Sequence, residues 1–152
     1  MNVLHTHFVL AASDPKGKIE YYYDEDQNVL YERFTGQISM TAIISYLGGL
    51  EEIAFRDGCR VFADFSAASG LNLDLRKIKR ISESSHRITF RIRRMRVALL
   101  TRDSISWGVA NCFAFLARRP DYQIQVFNDL SQCEDYLNLH GLAAEASSDL
   151  AA

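Results

Sequence analysis

The densest concentration of chemically capable side chains in this chain is a run of cations. Between Asp74 and Arg96 stand nine basic residues (Arg76, Lys77, Lys79, Arg80, Arg87, Arg91, Arg93, Arg94 and Arg96) against two acids, Asp74 and Glu83. The stretch carries +7 while the whole chain carries −2, so the remainder sums to −9. Cations at that density can neutralise carboxylates, phosphates or lipid headgroups. The candidate binding residues are therefore Arg76, Lys77, Lys79, Arg80, Arg87, Arg91 and Arg94, with Trp107 as an apolar neighbour. A basic amphipathic helix can rest on an anionic membrane at about 1 kcal/mol per cation near the surface. It can also dock an acidic protein partner. The plainest reading is a solvated face paired with the acidic remainder of the molecule. Nucleic acid ranks last, because Phe90 is the only aromatic within the stretch and stacking platforms need more.

Covalent and metal chemistry find little support. His5 and His7 lie near the N-terminus, His86 and His140 are isolated, and no Cys-x-x-Cys, His-Glu-x-x-His or phosphate-loop glycine pattern occurs. No catalytic residue, metal ligand or cofactor is expected. The three cysteines, Cys59, Cys112 and Cys133, are odd in number and set among apolar neighbours, so they read as small buried hydrophobes in a reducing compartment. The acids Asp24, Glu25 and Asp26, with Asp64 and Thr101 at two expected strand ends, resemble the site of a response-regulator receiver. A receiver, however, separates its first two strands by a helix and closes its last strand with a lysine. Here a turn and Asn128-Asp129 stand in those places. The acids are expected to form a solvated hairpin turn.

These side chains must be positioned by one domain spanning residues 1–152. At 152 residues, 48% hydrophobic and only two prolines, the chain can bury a core and is neither disordered nor a disulfide scaffold. No apolar run approaches the roughly 20 residues that span a bilayer, and the N-terminus lacks the features of a signal peptide. The expected location is cytoplasmic, with scope for a peripheral place at a membrane.

Residues 1–17 hold an apolar patch (8–12) and a turn, Ser13-Asp14-Pro15-Lys16-Gly17, with no element assigned. Residues 19–23 and 29–34 read as an antiparallel hairpin. Ser39 can cap a helix carrying Ile43, Ile44, Leu47, Leu50, Ile53 and Ala54 as far as Asp57-Gly58, with Gly48-Gly49 packed close to the sheet or marking a kink. Residues 60–65 form a buried strand, 66–73 a loop, and Asp74 caps a helix striped by Leu75, Ile78, Ile81 or Ser82, Ser85, Ile88 and Ile92. That helix runs to about Arg93 or breaks near Ser84-Ser85, and alternation over 88–93 leaves a strand open there. A strand over 97–101 follows. Asp103 or Ser104 caps a third helix with Ile105, Val109, Cys112, Phe113 and Leu116 inward, stopped at Arg118-Arg119-Pro120. A strand over 123–127 and a short helix from Ser131 to Gly141 close the domain, and residues 142–152 read as a frayed tail. A hairpin followed by alternating helices and strands calls for right-handed crossovers and a mixed, mostly parallel sheet with helices packed on it.

The hairpin leading to "FTGQIS", then "VFADFS", "RVALLT" and above all "YQIQVFNDLSQCEDYLNL" resemble the STAS-like superfamily, and within it the SpoIIAA-like (STAS/SEC14) family, over roughly residues 18–140. The resemblance implies an α/β STAS-like fold and a domain without chemistry of its own. Relatives act as regulatory partners or carriers of small apolar ligands. In the phosphoswitch branch an Asp-Ser-Ser-Gly-Leu-like motif carries the phosphoacceptor; here the stretch is Ala67-Ala68-Ser69-Gly70-Leu71, lacking both the acid and that serine. Ser66 and Ser69 are the nearby phosphorylation candidates. The leading expectation is a non-enzymatic binding module that engages a small amphipathic or apolar anion, or an anionic membrane surface, through the basic helix. The alternative is a partner-switching regulator phosphorylated at a loop serine. The closing Leu150-Ala151-Ala152 resembles a bacterial degradation tag.

Overall fold

The computed structural model describes residues 8–70 and 73–142. His5, His7 and the closing Leu150-Ala151-Ala152 therefore lie outside the described residues. The order is β1 (Val9–Asp14), β2 (Gly17–Asp24), β3 (Val29–Gln37), α1 (Met40–Leu50), β4 (Arg60–Gly70), α2 (Leu75–Thr89), β5 (Met95–Leu100), α3 (Ser104–Ala117), β6 (Tyr122–Phe127) and α4 (Leu130–Leu137). The six strands lie side by side in chain order. β1, β2 and β3 are antiparallel; β3 to β6 are parallel. The expected α/β layout, a hairpin followed by alternating helices and strands in a mostly parallel mixed sheet, is what the chain forms.

Topology decides the layering. Parallel crossovers share one hand, and all three advance in the same direction along the sheet. α1, α2 and α3 therefore lie side by side on one face. α4, which follows the last strand, covers the opposite face against β4, β5 and β6. Two cores result. The larger lies beneath α1–α3 and includes Ile19, Leu30, Phe34, Val61, Val97 and Leu99. The smaller lies beneath α4 and includes Tyr31, Phe62, Leu100, Cys133 and Leu137. Arg60 and Arg96 tie α4 down by donating to the carbonyls of Leu137 and Asn138 and of Tyr136, where cations meet the helix C-terminus.

Several local readings change. β1 occupies part of residues 1–17, an edge strand with a bulge between Leu10 and Ala12 that turns Ala11 and Ala12 onto the core. The β1–β2 turn presses against the end of β3: the Gln37 N–H donates to Lys16 O at 2.9 Å. A Cβ on Gly36, which has φ +74°, would lie 2.3 Å from the same oxygen. α1 starts at its expected cap, Ser39, but ends at Leu50 rather than running to Asp57-Gly58. Gly48 and Gly49 form its exposed last turn, and a Cβ on either would meet nothing within 4 Å, so they are neither close-packed nor a kink.

The expected loop over 66–73 is largely strand. β4 continues to Gly70 because β3 is long enough to pair with it there, Gln37 opposite Gly70, through two register irregularities. Asp64 consequently sits inside β4, not at its end. α2 begins at Asp74, whose carboxylate accepts from Lys77 N–H at 2.9 Å, and it ends at Thr89 with a tight turn through Ile92, so residues 88–93 form no strand. α3 is turned relative to expectation. Its buried stripe is Ser106, Ala110, Ala114 and Ala117, while Ile105 is 73% exposed. Small residues at that spacing let the helix sit close, and the large apolar ones flank the contact. α4 is capped by Asp129 rather than Ser131 and ends at Asn138 in the left-handed region, not at Gly141.

Candidate functional site

Along β3, side chains alternate faces. Val29 and Tyr31 go to the α4 side; Leu30, Glu32 and Phe34 go to the α1–α3 side. A glutamate is thus delivered between two buried hydrophobes onto the face of the larger core. Opposite it in register on β4 is Ala63, followed on β5 by Leu99. The alanine leaves room where a larger side chain would fill the layer.

That room is a cavity of about 130 Å³ between the sheet and the three helices. Its roof comes from α1 (Ile43, Tyr46, Leu47), α2 (Ile78, Ile81, Ile88) and α3 (Val109, Ala110, Phe113). Phe34 and Phe65, stacked with centroids 4.0 Å apart, form part of the floor. Apart from Glu32 the polar side chains among the described lining residues are hydroxyls, those of Tyr46, Ser85, Thr89 and Tyr122. An apolar cavity of about 150 Å³ is large enough to hold benzene and stays dry when empty. This one accommodates a single small ring or a branched aliphatic group.

Glu32 governs the electrostatics. Its accessible surface is intermediate, and the residue lines the cavity beneath the helices. Burial lifts its pKa to about 8, and the group is mostly a neutral acid at pH 7. The hydroxyl of Tyr46, itself buried on α1, donates to Glu32 Oε2. The Tyr122 phenol is pushed up by burial and, secondarily, by Glu32. The Cys59 thiol is pushed up to about 12 by the same two causes, and Cys133 to about 12 by burial and then Asp64. Neither thiol has thiolate character at neutral pH. Cys112, half-buried, departs from the expectation of three buried cysteines.

The basic residues lie elsewhere. Arg76, Lys79, Arg80 and Arg87 are exposed on the outer side of α2, Lys77 is half-buried, and Arg91 and Arg94 are exposed beyond the helix end. None lines the cavity, and neither does Trp107, which is 49% exposed on α3. Among the described residues no carboxylate forms an ion pair with these cations. Phe90, 69% exposed at the end of α2, stacks under Arg119 with 3.8 Å from guanidinium carbon to ring centroid. Ser66 and Ser69 sit on β4: Ser66 is half-buried with its N–H donated to Asp64, and Ser69 is exposed. Among the described residues no cluster of three or more His, Cys, Asp or Glu is placed to hold a metal ion. Nor is any helix among them long and apolar enough to cross a membrane.

Glu32 and Tyr46 were missed by sequence reasoning, yet a signal was present. Glu32 stands two residues from both Leu30 and Phe34 in an alternating strand, and Tyr46 falls between Ile43 and Leu50 on the inward face of α1. Compared with protein-family models and with curated proteins, the chain matches none.

Proposed function

We propose that this protein is a STAS-like, SpoIIAA-like binding module that holds a small, mainly apolar molecule in the cavity beneath α1–α3. The observation that carries the reading is the cavity itself: about 130 Å³, walled by aliphatic and aromatic side chains, with one carboxyl group set into its floor. A hydrophobic hairpin feeding four parallel strands, with helices alternating between them, supports the STAS-like assignment. Binding is favoured over catalysis by the chemistry of the lining. Glu32 and two phenols supply proton donors, but among the described lining residues no ionised base and no nucleophile other than hydroxyls stands with them to complete an acid–base pair.

Isothermal titration with toluene tests the reading. The wild-type protein takes up one equivalent, and Ala110→Leu, which places three further carbons in the cavity, takes up none while remaining folded. Absence of saturable binding to the wild type, or equal binding to both, contradicts it.

The exposed cations support a second reading, attachment to an anionic membrane surface. Arg76, Lys79, Arg80 and Arg87 share one outer face of α2 with no ion-pair partner among the described residues, and Phe90 projects at its end. Co-sedimentation with vesicles containing acidic lipid, and not with neutral vesicles, is the expected result. Equal binding to both kinds of vesicle counts against it.

A further inference from the structure

Resting on that reading of the cavity, we propose that its ligand is a small monocyclic hydrophobic amine, with the ring held by the aliphatic walls and the ammonium nitrogen paired with the Glu32 carboxylate. The argument begins with what the lining lacks. Of the described residues that wall the cavity, Glu32 alone carries an ionisable carboxyl, and none is a lysine, arginine or histidine. An anionic ligand buried there would meet a carboxyl and no compensating cation, which is the costliest arrangement for a buried charge.

Three of the four hydroxyls named above are already engaged. Ser85 Oγ already donates to the Ser82 carbonyl at 2.7 Å, and Thr89 Oγ1 accepts from the Arg119 guanidinium. Tyr46 spends its proton on Glu32 Oε2. Glu32 Oε1 has no bond to any described residue; it carries the proton of the neutral acid and becomes an acceptor once the carboxyl ionises. A ligand that supplies a positive nitrogen satisfies that oxygen, whereas a purely apolar ligand does not.

The protonation arithmetic then gives the site a signature. Burial keeps the empty-site carboxyl protonated at neutral pH. An ammonium ligand favours the ionised form, so Glu32 releases its proton to solvent as the ion pair forms: one bond to hydrogen is lost and one charge-assisted hydrogen bond is gained. Other titratable groups also face Glu32. From β2 it faces Tyr21, from α1 Tyr46, from β4 Ala63, from β6 Tyr122, with the Cys59 thiol just ahead of β4. Tyr122 and Cys59 are both pushed upward, away from neutrality. Arg119 lies beside the Tyr122 ring, 6.0 Å from guanidinium carbon to ring centroid.

The test uses benzylamine, benzyl alcohol, benzoate and toluene as probes, titrated calorimetrically at pH 5.5, 6.5 and 7.5 into the wild type and Glu32→Gln. Benzylamine is expected to tighten about tenfold per pH unit, one proton being released per ligand bound. Benzyl alcohol and toluene bind with no pH dependence, and benzoate does not bind. In Glu32→Gln the benzylamine pH dependence disappears and its affinity at pH 7.5 drops at least tenfold, while benzyl alcohol still binds and so shows the variant to be folded. Binding of toluene and benzyl alcohol with pH-independent or absent benzylamine binding overturns the amine assignment and leaves the cavity reading standing. Failure of all four probes overturns the cavity reading itself.

Discussion

Replacing Glu32 by Gln removes the carboxyl that lines the large core while keeping an oxygen that accepts from Tyr46. In the folded protein burial raises the Glu32 pKa from 4.5 to about 8. Because the folded value lies above the unfolded one, the stabilisation linked to this group is fully present below pH 4.5 and is lost as pH rises through 8. At 1.36 kcal/mol per unit, ionisation of the unfolded chain disfavours the wild-type fold by about 1 kcal/mol at pH 5, about 3 kcal/mol at pH 7 and about 5 kcal/mol at pH 9. Glu32→Gln escapes this loss. With a urea slope of about 2 kcal/mol/M, its unfolding midpoint should exceed that of the wild type by about 1.5 M at pH 7, and by more at pH 9. Far-ultraviolet circular dichroism follows the transition, since the helices report on the whole fold. Wild-type and variant midpoints that stay parallel from pH 5 to pH 9 would refute the reasoning, because they would mean that Glu32 is ionised and solvated in the native state.

Other consequences are equally concrete. Ala110→Leu adds three carbons to a cavity already large enough for them, so at about 0.8 kcal/mol per buried carbon it gains up to about 2 kcal/mol, read as a rise in melting temperature. A lower melting temperature would mean that α3 cannot spare the space. Gly36→Ala forces a side chain into positive φ with its Cβ 2.3 Å from Lys16 O, and should cost more than about 2 kcal/mol in urea titration. In native protein at pH 8 a thiol-reactive disulfide reagent should modify Cys112 alone, with Cys59 and Cys133 reacting only after unfolding; fast labelling of Cys59 would contradict its burial in the core.

Much of the architecture was legible because it depends on signals that local sequence carries. Alternation in 19–23 and 29–34, the caps Ser39, Asp74 and Asp103, and the cations before Pro120 each name an element or its boundary. What was not legible depends on partners distant in sequence. β4 runs through Ser66 and Ser69 because β3 offers an edge to pair with, not because the Ser- and Ala-rich stretch favours strand. Of the expected α3 stripe, Val109 and Phe113 do face the core, but Ile105 is exposed and the fully buried positions are Ser106, Ala110, Ala114 and Ala117, one residue further round the helix. The same blindness applies to the site. The conspicuous cations of α2 face solvent, whereas Glu32 is one acid among nineteen until the fold places it between Leu30 and Phe34 under three helices.

The central claim is that the space beneath α1–α3 is a ligand site. Four isoleucines, Ile43, Ile78, Ile81 and Ile88, line it, while Ile19 is buried outside it and Ile105 is exposed on α3. Carbon-13 methyl NMR with toluene as titrant therefore measures occupancy directly. The account predicts saturable shifts of the four lining methyls, with Ile19 and Ile105 unmoved. Shifts confined to Ile105, or shifts that grow linearly without saturating, would contradict it.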